Sequence, residues 1–145
     1  MQIVYILNRQ YAVVYHILVP VDEHVDRAQM ELDYLKSLPA DRDATQITVA
    51  HAYENEPRDD RPVERPEAVR VAIRELEADG FAVQHREISG PPSDGIVSLA
   101  DELEADAIVM AGRKRAPTAK VVFGSVAQSV ILNSSCPVTV VGISE

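Results

Sequence analysis

The chain has 145 residues, of which 46% are hydrophobic and 26% are charged, as is typical of one soluble globular domain. Its formal net charge is −9, from 23 acidic and 14 basic residues, and such an acidic surface disfavours binding to nucleic acid or to anionic lipid. A single cysteine excludes an internal disulfide framework, and no apolar run is long enough for a membrane span.

The first predicted elements are a strand, a helix and a second strand. Residues 16–21 form a nearly continuous apolar run, which is typical of a strand buried on both faces. Asp26 is predicted to cap the following helix, with Gln29 in the capping-box position, and Pro39 ends that helix. Residues 46–52 are predicted to form the second strand.

The rest of the chain repeats this alternation after a polar segment at 54–66, which we expect to be a surface loop. Pro66 suits the first position of the second helix, and Gly80 suits its C-terminal cap. Residues 81–88 alternate in polarity, as in a half-exposed edge strand. The third helix is predicted from the apolar spacing of Ile96, Leu99, Ala100 and Leu103. The fourth helix is predicted in the same way from Phe123, Ala127, Val130 and Ile131. The last two strands are predicted at 106–112 and 137–143.

The order of these elements, βαβαβαβαβ, predicts an α/β fold. We expect an open, mainly parallel five-stranded sheet with helices on both faces. Ligand sites in such folds lie beyond the carboxyl ends of the strands, where the strand order reverses. The candidate segments therefore follow Val21, Ala52 and Ala111.

Asp22 directly follows the first strand, where the ligand crevice is expected. A carboxylate at this position can accept hydrogen bonds from a ribose or from an adenine amine. The alternative is a solvated aspartate that only helps to cap the next helix.

A second candidate site lies between the fourth strand and the fourth helix. Gly112 ends the strand, and Gly124 and Ser125 open the helix, whose N-terminal amides and hydroxyl are suited to an anion. Four basic residues within eight positions separate these glycines in an otherwise acidic chain, which fits either a phosphate-binding loop or a solvated surface loop. They are Arg113, Lys114, Arg115 and Lys120.

Several catalytic and metal-binding patterns are missing, so we do not expect an enzyme. The sequence has no G-x-x-x-x-G-K-[ST] phosphate loop, no G-x-G-x-x-G after the first strand and no G-x-S-x-G elbow. Cys136 is expected to be a small buried residue and not a nucleophile. The four histidines have no metal-ligand spacing: His16, His24, His51 and His85.

Four motifs, in matching order and at matching spacing between about Tyr15 and Ile143, resemble the universal stress protein family. The resemblance implies a Rossmann-like fold similar to that of the adenine nucleotide alpha hydrolases. It also implies an adenine nucleotide ligand such as ATP or AMP, dimerisation and, in many members, no established catalytic activity. The motifs are ILVPVD at 17–22, AIVMAG at 107–112, FGSV at 123–126 and CPVTVV at 136–141.

The family's nucleotide motif, G-x2-G-x9-G-[ST], is matched only in part. Gly112 matches its first glycine, and Gly124 with Ser125 match its last pair, but Arg115 replaces the second glycine and the spacing is one residue shorter. Either the basic side chains supply charge for AMP or another anion, or this member has lost the nucleotide. By the resemblance, we expect the nucleotide to contact Asp22, His51, Ala52, Gly112, Arg113, Arg115, Gly124, Ser125 and Val126.

The functional hypothesis is a module of the stress response that binds an adenine nucleotide without turnover, with magnesium only if a triphosphate binds. The alternatives are an interaction module with an empty crevice and an ATP-hydrolysing enzyme of related fold. The acidic, lysine-poor composition favours a haloarchaeal type of member adapted to high salt over an ordinary acidic mesophile. No basic region precedes the apolar stretch at 3–7, so we expect a cytoplasmic protein.

The last strand is predicted to form a homodimer. Its uncharged sequence lies at a sheet edge in the expected strand order, and unpaired backbone groups at such an edge invite another strand. We expect Val138 to Val141 to pair antiparallel with a second copy. The alternative is that residues before Tyr15 cover this edge, since 1–14 is an N-terminal extension or an extra strand beside the family domain at 15–145.

Overall fold

A computed structural model describes residues 14–52, 65–112 and 123–142. In this part of the chain, strands and helices alternate as the sequence pattern predicts. The strands are β1 (Tyr15–Pro20), β2 (Thr45–Ala52), β3 (Ala82–Ile88), β4 (Ala107–Ala111) and β5 (Val138–Val141). The helices are α1 (Val25–Ser37), α2 (Glu67–Ala78), α3 (Pro92–Glu102) and α4 (Ser125–Asn133), with a short 3-10 turn at Arg42–Ala44.

The five described strands form one sheet in the order β3-β2-β1-β4-β5, and each strand is parallel to its neighbours. The predicted α/β fold and the edge position of β3 are therefore confirmed. The chain proceeds from β1 towards β3 on one side and from β4 to β5 on the other. The strand order thus reverses between β1 and β4, so the ligand crevice of this fold belongs at their carboxyl ends.

Helices cover both faces of the sheet, as predicted. Because successive strand residues point to opposite faces, Ile17 and Val19 pack under α1 and α2, whereas Leu18 packs under α3 and α4. The stripe of α1 formed by Ala28, Leu32 and Leu35 is buried in the first of these layers, as its spacing predicts. The two layers fix the strand ends that form the crevice.

The start of α1 differs from the prediction. Asp26 is not its cap: the cap residue is His24, no side chain caps the helix, and Asp26 already lies in the first turn. The physical reason is the Asp22 carboxylate, whose Oδ1 accepts a hydrogen bond of 2.8 Å from the His24 backbone N–H. The chain therefore turns tightly after β1, and the helix begins before Asp26.

Two smaller differences concern α2 and α4. Pro66 is the cap of α2 and not its first helical residue, because its ψ of 151° is extended. Gly80 does terminate α2, with a φ of +100° that suits glycine. Phe123 and Ile131 were predicted to lie on the apolar face of the fourth helix, but Phe123 precedes the first residue of α4, and both side chains are exposed.

Some predicted segments lie outside the described residues. They are the N-terminal segment up to residue 13, residues 54–64 of the predicted polar segment at 54–66, the basic residues between 113 and 122, and residue 143 of the last predicted strand.

Candidate functional site

A cleft of about 260 Å³ lies at the carboxyl ends of β1 and β4, at the predicted reversal of strand order. One wall is formed by the turn after β1 and by α1. The opposite wall is the first turn of α4. Apolar side chains line the space between them, including Ala50 of β2, Met110 of β4 and Ile96 of α3.

Asp22 lines the wall formed by β1 and α1. Its Oδ2 accepts a hydrogen bond of 2.8 Å from Arg27 Nη1, while its Oδ1 accepts one from the His24 N–H. The Asp22 side chain is still 43% exposed. Because each carboxylate oxygen can accept more than one hydrogen bond, Asp22 is able to bind a ligand hydroxyl or amine as well.

Glu31 lines the same wall from the second turn of α1 and is only 2% exposed. Its Oε2 atom has no hydrogen-bond partner among the residues that the structure describes. Burial raises the pKa of the Glu31 carboxyl well above its ordinary value, and the negative charge of Asp22 raises this pKa further. Both causes favour the neutral acid.

His51 supports the cleft from behind and does not line it. The residue is 1% exposed, and its Nδ1 lies 3.2 Å from the Val21 carbonyl oxygen. The Val21 N–H in turn donates to the Ala50 carbonyl at 2.8 Å, so β2 holds the turn that carries Asp22. Ala52, the next residue after His51, does line the cleft.

The opposite wall presents the start of α4. Gly124 is the cap residue in an extended conformation and has no side chain with which to occupy the first-turn amides. Ser125, Val126 and Ala127 line the cleft, and no acidic residue lies in this first turn. The helix therefore directs its positive N-terminal end into the cleft.

Gly112 stands outside the cleft lining, directly after β4. Its N–H donates to the Val141 carbonyl at 2.8 Å, and a Cβ at this position would lie 3.1 Å from Val140 Cγ1. Glycine at position 112 therefore allows a close approach between the end of β4 and β5, and not an approach to a ligand.

The structure thus brings together five of the nine predicted site residues. Two more, His51 and Gly112, lie behind the lining, and two, Arg113 and Arg115, lie outside the described residues. Sequence reasoning missed Arg27 and Glu31. A signal for Glu31 was available, because it interrupts the apolar stripe of α1 directly before Leu32. The five residues in the lining are Asp22, Ala52, Gly124, Ser125 and Val126.

Two absences hold for the described residues. Among them, no group of three or more His, Cys, Asp or Glu side chains is arranged to hold a metal ion. No helix in these ranges has the length and apolar character needed to cross a membrane. The cleft itself combines a carboxylate, an apolar floor and a helix N-terminus that no described side chain caps, an arrangement that accommodates a polar ring system at one end and an anion at the other.

Comparison with known proteins identifies close relatives. The model of the universal stress protein family matches residues 15–142. A universal stress protein of Methanocaldococcus jannaschii is 35% identical over 78 residues, which are 54% of this chain and about half (46%) of that relative's length.

Solved structures match over most of the chain. A universal stress protein from Archaeoglobus fulgidus has a TM-score of 0.73 and 32% identity, with 89% of this chain and 99% of the other covered. A universal stress protein from the same organism in complex with dAMP has a TM-score of 0.70 and 28% identity, with 89% and 98% covered.

Proposed function

The chain belongs to the universal stress protein family, and from this premise we propose that it binds an adenine nucleotide in the cleft between β1 and β4, without turnover. The observation that carries the proposal is the pairing of Asp22 on one wall with the free N-terminus of α4 on the other. The complex of the Archaeoglobus fulgidus relative with dAMP supports the same ligand class.

The two walls suggest an orientation for the ligand. The nucleoside would lie towards Asp22, whose carboxylate accepts hydrogen bonds from ribose hydroxyls or from an amine. The phosphate would lie against Ser125 and Val126, where backbone N–H groups and the helix dipole favour negative charge.

AMP is the ligand that we propose first. The first turn of α4 offers only a few free amides, enough for one phosphate group. Arg115 stands where the family motif has its second glycine, so a triphosphate is the less favoured alternative. Magnesium would be required only with that triphosphate, because metal ions in nucleotide sites are held largely by the phosphates.

Isothermal titration of the full chain with AMP, ADP and ATP in high salt, with and without magnesium, tests the proposal. We expect AMP to release or absorb heat with one site per chain. Ser125→Ala removes a hydroxyl from the cleft lining and should weaken AMP binding, and Ser129→Ala, on α4 outside the lining, is its matched control. The absence of binding by all three nucleotides, with folded protein, would contradict the proposal and favour an interaction module.

The proposal includes no catalytic step. Steady release of ADP from ATP by purified protein, lost in an Asp22→Ala variant, would instead indicate an ATP-hydrolysing enzyme. We also retain the cytoplasm as the proposed location.

We further propose a two-fold dimer through β5. In the described residues β5 has a strand neighbour on one side only. The Val141 carbonyl accepts from Gly112, so Thr139 and Val141 direct their backbone groups at β4, whereas Val138 and Val140 direct theirs outward. Antiparallel pairing with a second copy would satisfy these outward groups.

Proline substitution tests this dimer at the backbone. Val140→Pro removes an outward N–H and leaves the hydrogen bonds to β4 in place, because proline is tolerated on the free side of an edge strand. We expect sedimentation to show a dimer for the wild type and a folded monomer for the variant. A monomeric wild type, or a variant that remains fully dimeric, would contradict the interface.

A further inference from the structure

Glu31 is the least expected side chain of the cleft. Its neighbours along the same face of α1, Ala28, Leu32 and Leu35, are buried and apolar. Burying a carboxyl group without a hydrogen-bond partner destabilises a fold, and an apolar side chain of similar size would avoid that loss. The Oε2 atom of Glu31 is nevertheless buried at the cleft and has no hydrogen-bond partner within the described part of the chain.

Within the described ranges, the charged groups around Glu31 do not neutralise it. From the turn after β1 it faces Asp22, which is acidic. From its own helix it shares the lining with Arg27, whose guanidinium is paired with Asp22. The lining residues that the structure describes on β2, β3, β4, α3 and the start of α4 carry no charged side chain.

A neutral carboxylic acid suits this position better than a carboxylate. It carries one O–H donor, which it can offer to a ligand without repelling Asp22 or an anionic ligand. The free amides for a phosphate lie on the opposite wall, at Ser125 and Val126, whereas Glu31 lies on the wall of Asp22. The acceptor that Glu31 meets therefore belongs to the uncharged part of the ligand.

We propose that Glu31 is a ligand-binding residue whose un-ionised carboxyl group donates a hydrogen bond to an acceptor atom of the nucleoside, a ribose oxygen or a base nitrogen. This inference rests on the proposed function, because it concerns the same cleft. It adds a proton requirement: only the protonated form of Glu31 donates. The affinity for the nucleotide therefore falls as the pH rises through the pKa of Glu31.

Titration of the full chain with AMP between about pH 5 and pH 9 tests this proton requirement. We compare the wild type with Glu31→Gln, which keeps a donor at every pH, and with Glu31→Leu, which has none. The comparison between variants cancels the titration of the AMP phosphate itself. We expect Glu31→Gln to lack the loss of affinity that the wild type shows at high pH, and Glu31→Leu to bind about tenfold more weakly than the wild type at low pH.

Asp33→Asn is the matched control, because Asp33 is an exposed carboxylate of the same helix outside the cleft lining. It should bind AMP with the affinity and pH profile of the wild type. If Glu31→Leu also binds like the wild type at every pH, the inference about Glu31 is wrong while the proposed function stands. If the wild type binds no AMP at any pH, the proposed function fails, and the inference fails with it.

Melting of the ligand-free protein supplies a readout that does not depend on any nucleotide. If the Glu31 carboxyl serves the ligand and not the fold, Glu31→Leu should melt at a higher temperature than the wild type, because it removes a buried acid whose Oε2 has no partner among the described residues. A lower melting temperature for Glu31→Leu would show a structural role and would overturn the inference.

Discussion

The two walls of the cleft are both junctions between a parallel strand and the helix that follows it, yet they present different chemistry. At the β1–α1 junction the polar groups are side chains, and Asp22 is engaged with both Arg27 and the His24 N–H. At the α4 end the polar groups are backbone amides behind the side-chain-free cap Gly124. The same topology therefore yields one wall that binds a ligand through side chains and one wall that binds it mainly through backbone amides.

This difference determines how each wall responds to substitution. Changes of side chain at Asp22 or Glu31 alter the hydrogen-bonding groups directly. The amides of α4 persist in almost any sequence, so that wall responds mainly to a change of local charge or backbone geometry and only to a smaller extent to loss of the Ser125 hydroxyl. Four predictions use this contrast.

The largest expected effect comes from placing a negative charge on the main-chain wall. Ser125→Asp should stabilise α4 by about 0.3–1 kcal/mol through the helix dipole but weaken AMP binding about 100-fold through repulsion of the phosphate. Thermal melting and titration calorimetry measure the two opposite changes. Ser129→Asp, on the same helix but outside the lining, should leave AMP affinity nearly unchanged.

Neutralising the side-chain wall should have a smaller effect. Asp22→Asn keeps the shape but loses the charge-assisted bonds, so we expect AMP affinity to fall about tenfold. Stability should change by less than about 1 kcal/mol, because the two side chains of the pair with Arg27 remain 31% and 43% exposed and water screens their attraction. The control is Asp26→Asn, an exposed carboxylate of the first turn of α1 outside the lining. Equal loss of affinity in both variants would contradict a specific role for Asp22.

Glu31 should make stability depend on pH. Its pKa is raised in the folded protein, so the folded state holds a proton that the unfolded state releases above about pH 4.5. The contribution is fully present below the unfolded pKa and is lost as the pH rises through the folded pKa, with a slope of up to about 1.4 kcal/mol per pH unit. Urea unfolding from pH 4 to pH 9 should show this loss in the wild type relative to Glu31→Gln. Parallel curves for the two proteins would show that Glu31 is not protonated preferentially in the fold.

The smallest effect is expected behind the main-chain wall. Gly112→Ala places a Cβ 3.1 Å from Val140 Cγ1, so the Val140 side chain must shift by a few tenths of an ångström, and we expect a loss of about 1 kcal/mol in the free energy of unfolding. Gly142→Ala is the control, because a Cβ there meets nothing within 4 Å. AMP affinity should change less than twofold in either variant, since neither residue lines the cleft. A large loss of affinity in Gly112→Ala alone would place Gly112 in contact with the ligand.

The sequence by itself determined most of the fold and part of the site. Apolar runs at 16–21 and 106–112 and the helical stripe of α1 encode the elements locally, because period and length depend only on residues a few positions apart. Once the order of elements predicts a parallel sheet, Asp22, which follows a strand, and Ser125, which opens a helix, must lie at the same end of that sheet. Their meeting in one cleft was predictable for this reason.

Only the tertiary structure decided the remaining features. In the sequence Arg27 is an ordinary charged residue of an amphipathic helix, Glu31 differs only in interrupting its apolar stripe, and Asp26 is the better capping residue by local pattern. In the fold, Asp22 accepts hydrogen bonds from the His24 N–H and from Arg27, and tertiary packing buries Glu31. Burial and electrostatic environment depend on which distant elements pack together, and no local pattern encodes that packing.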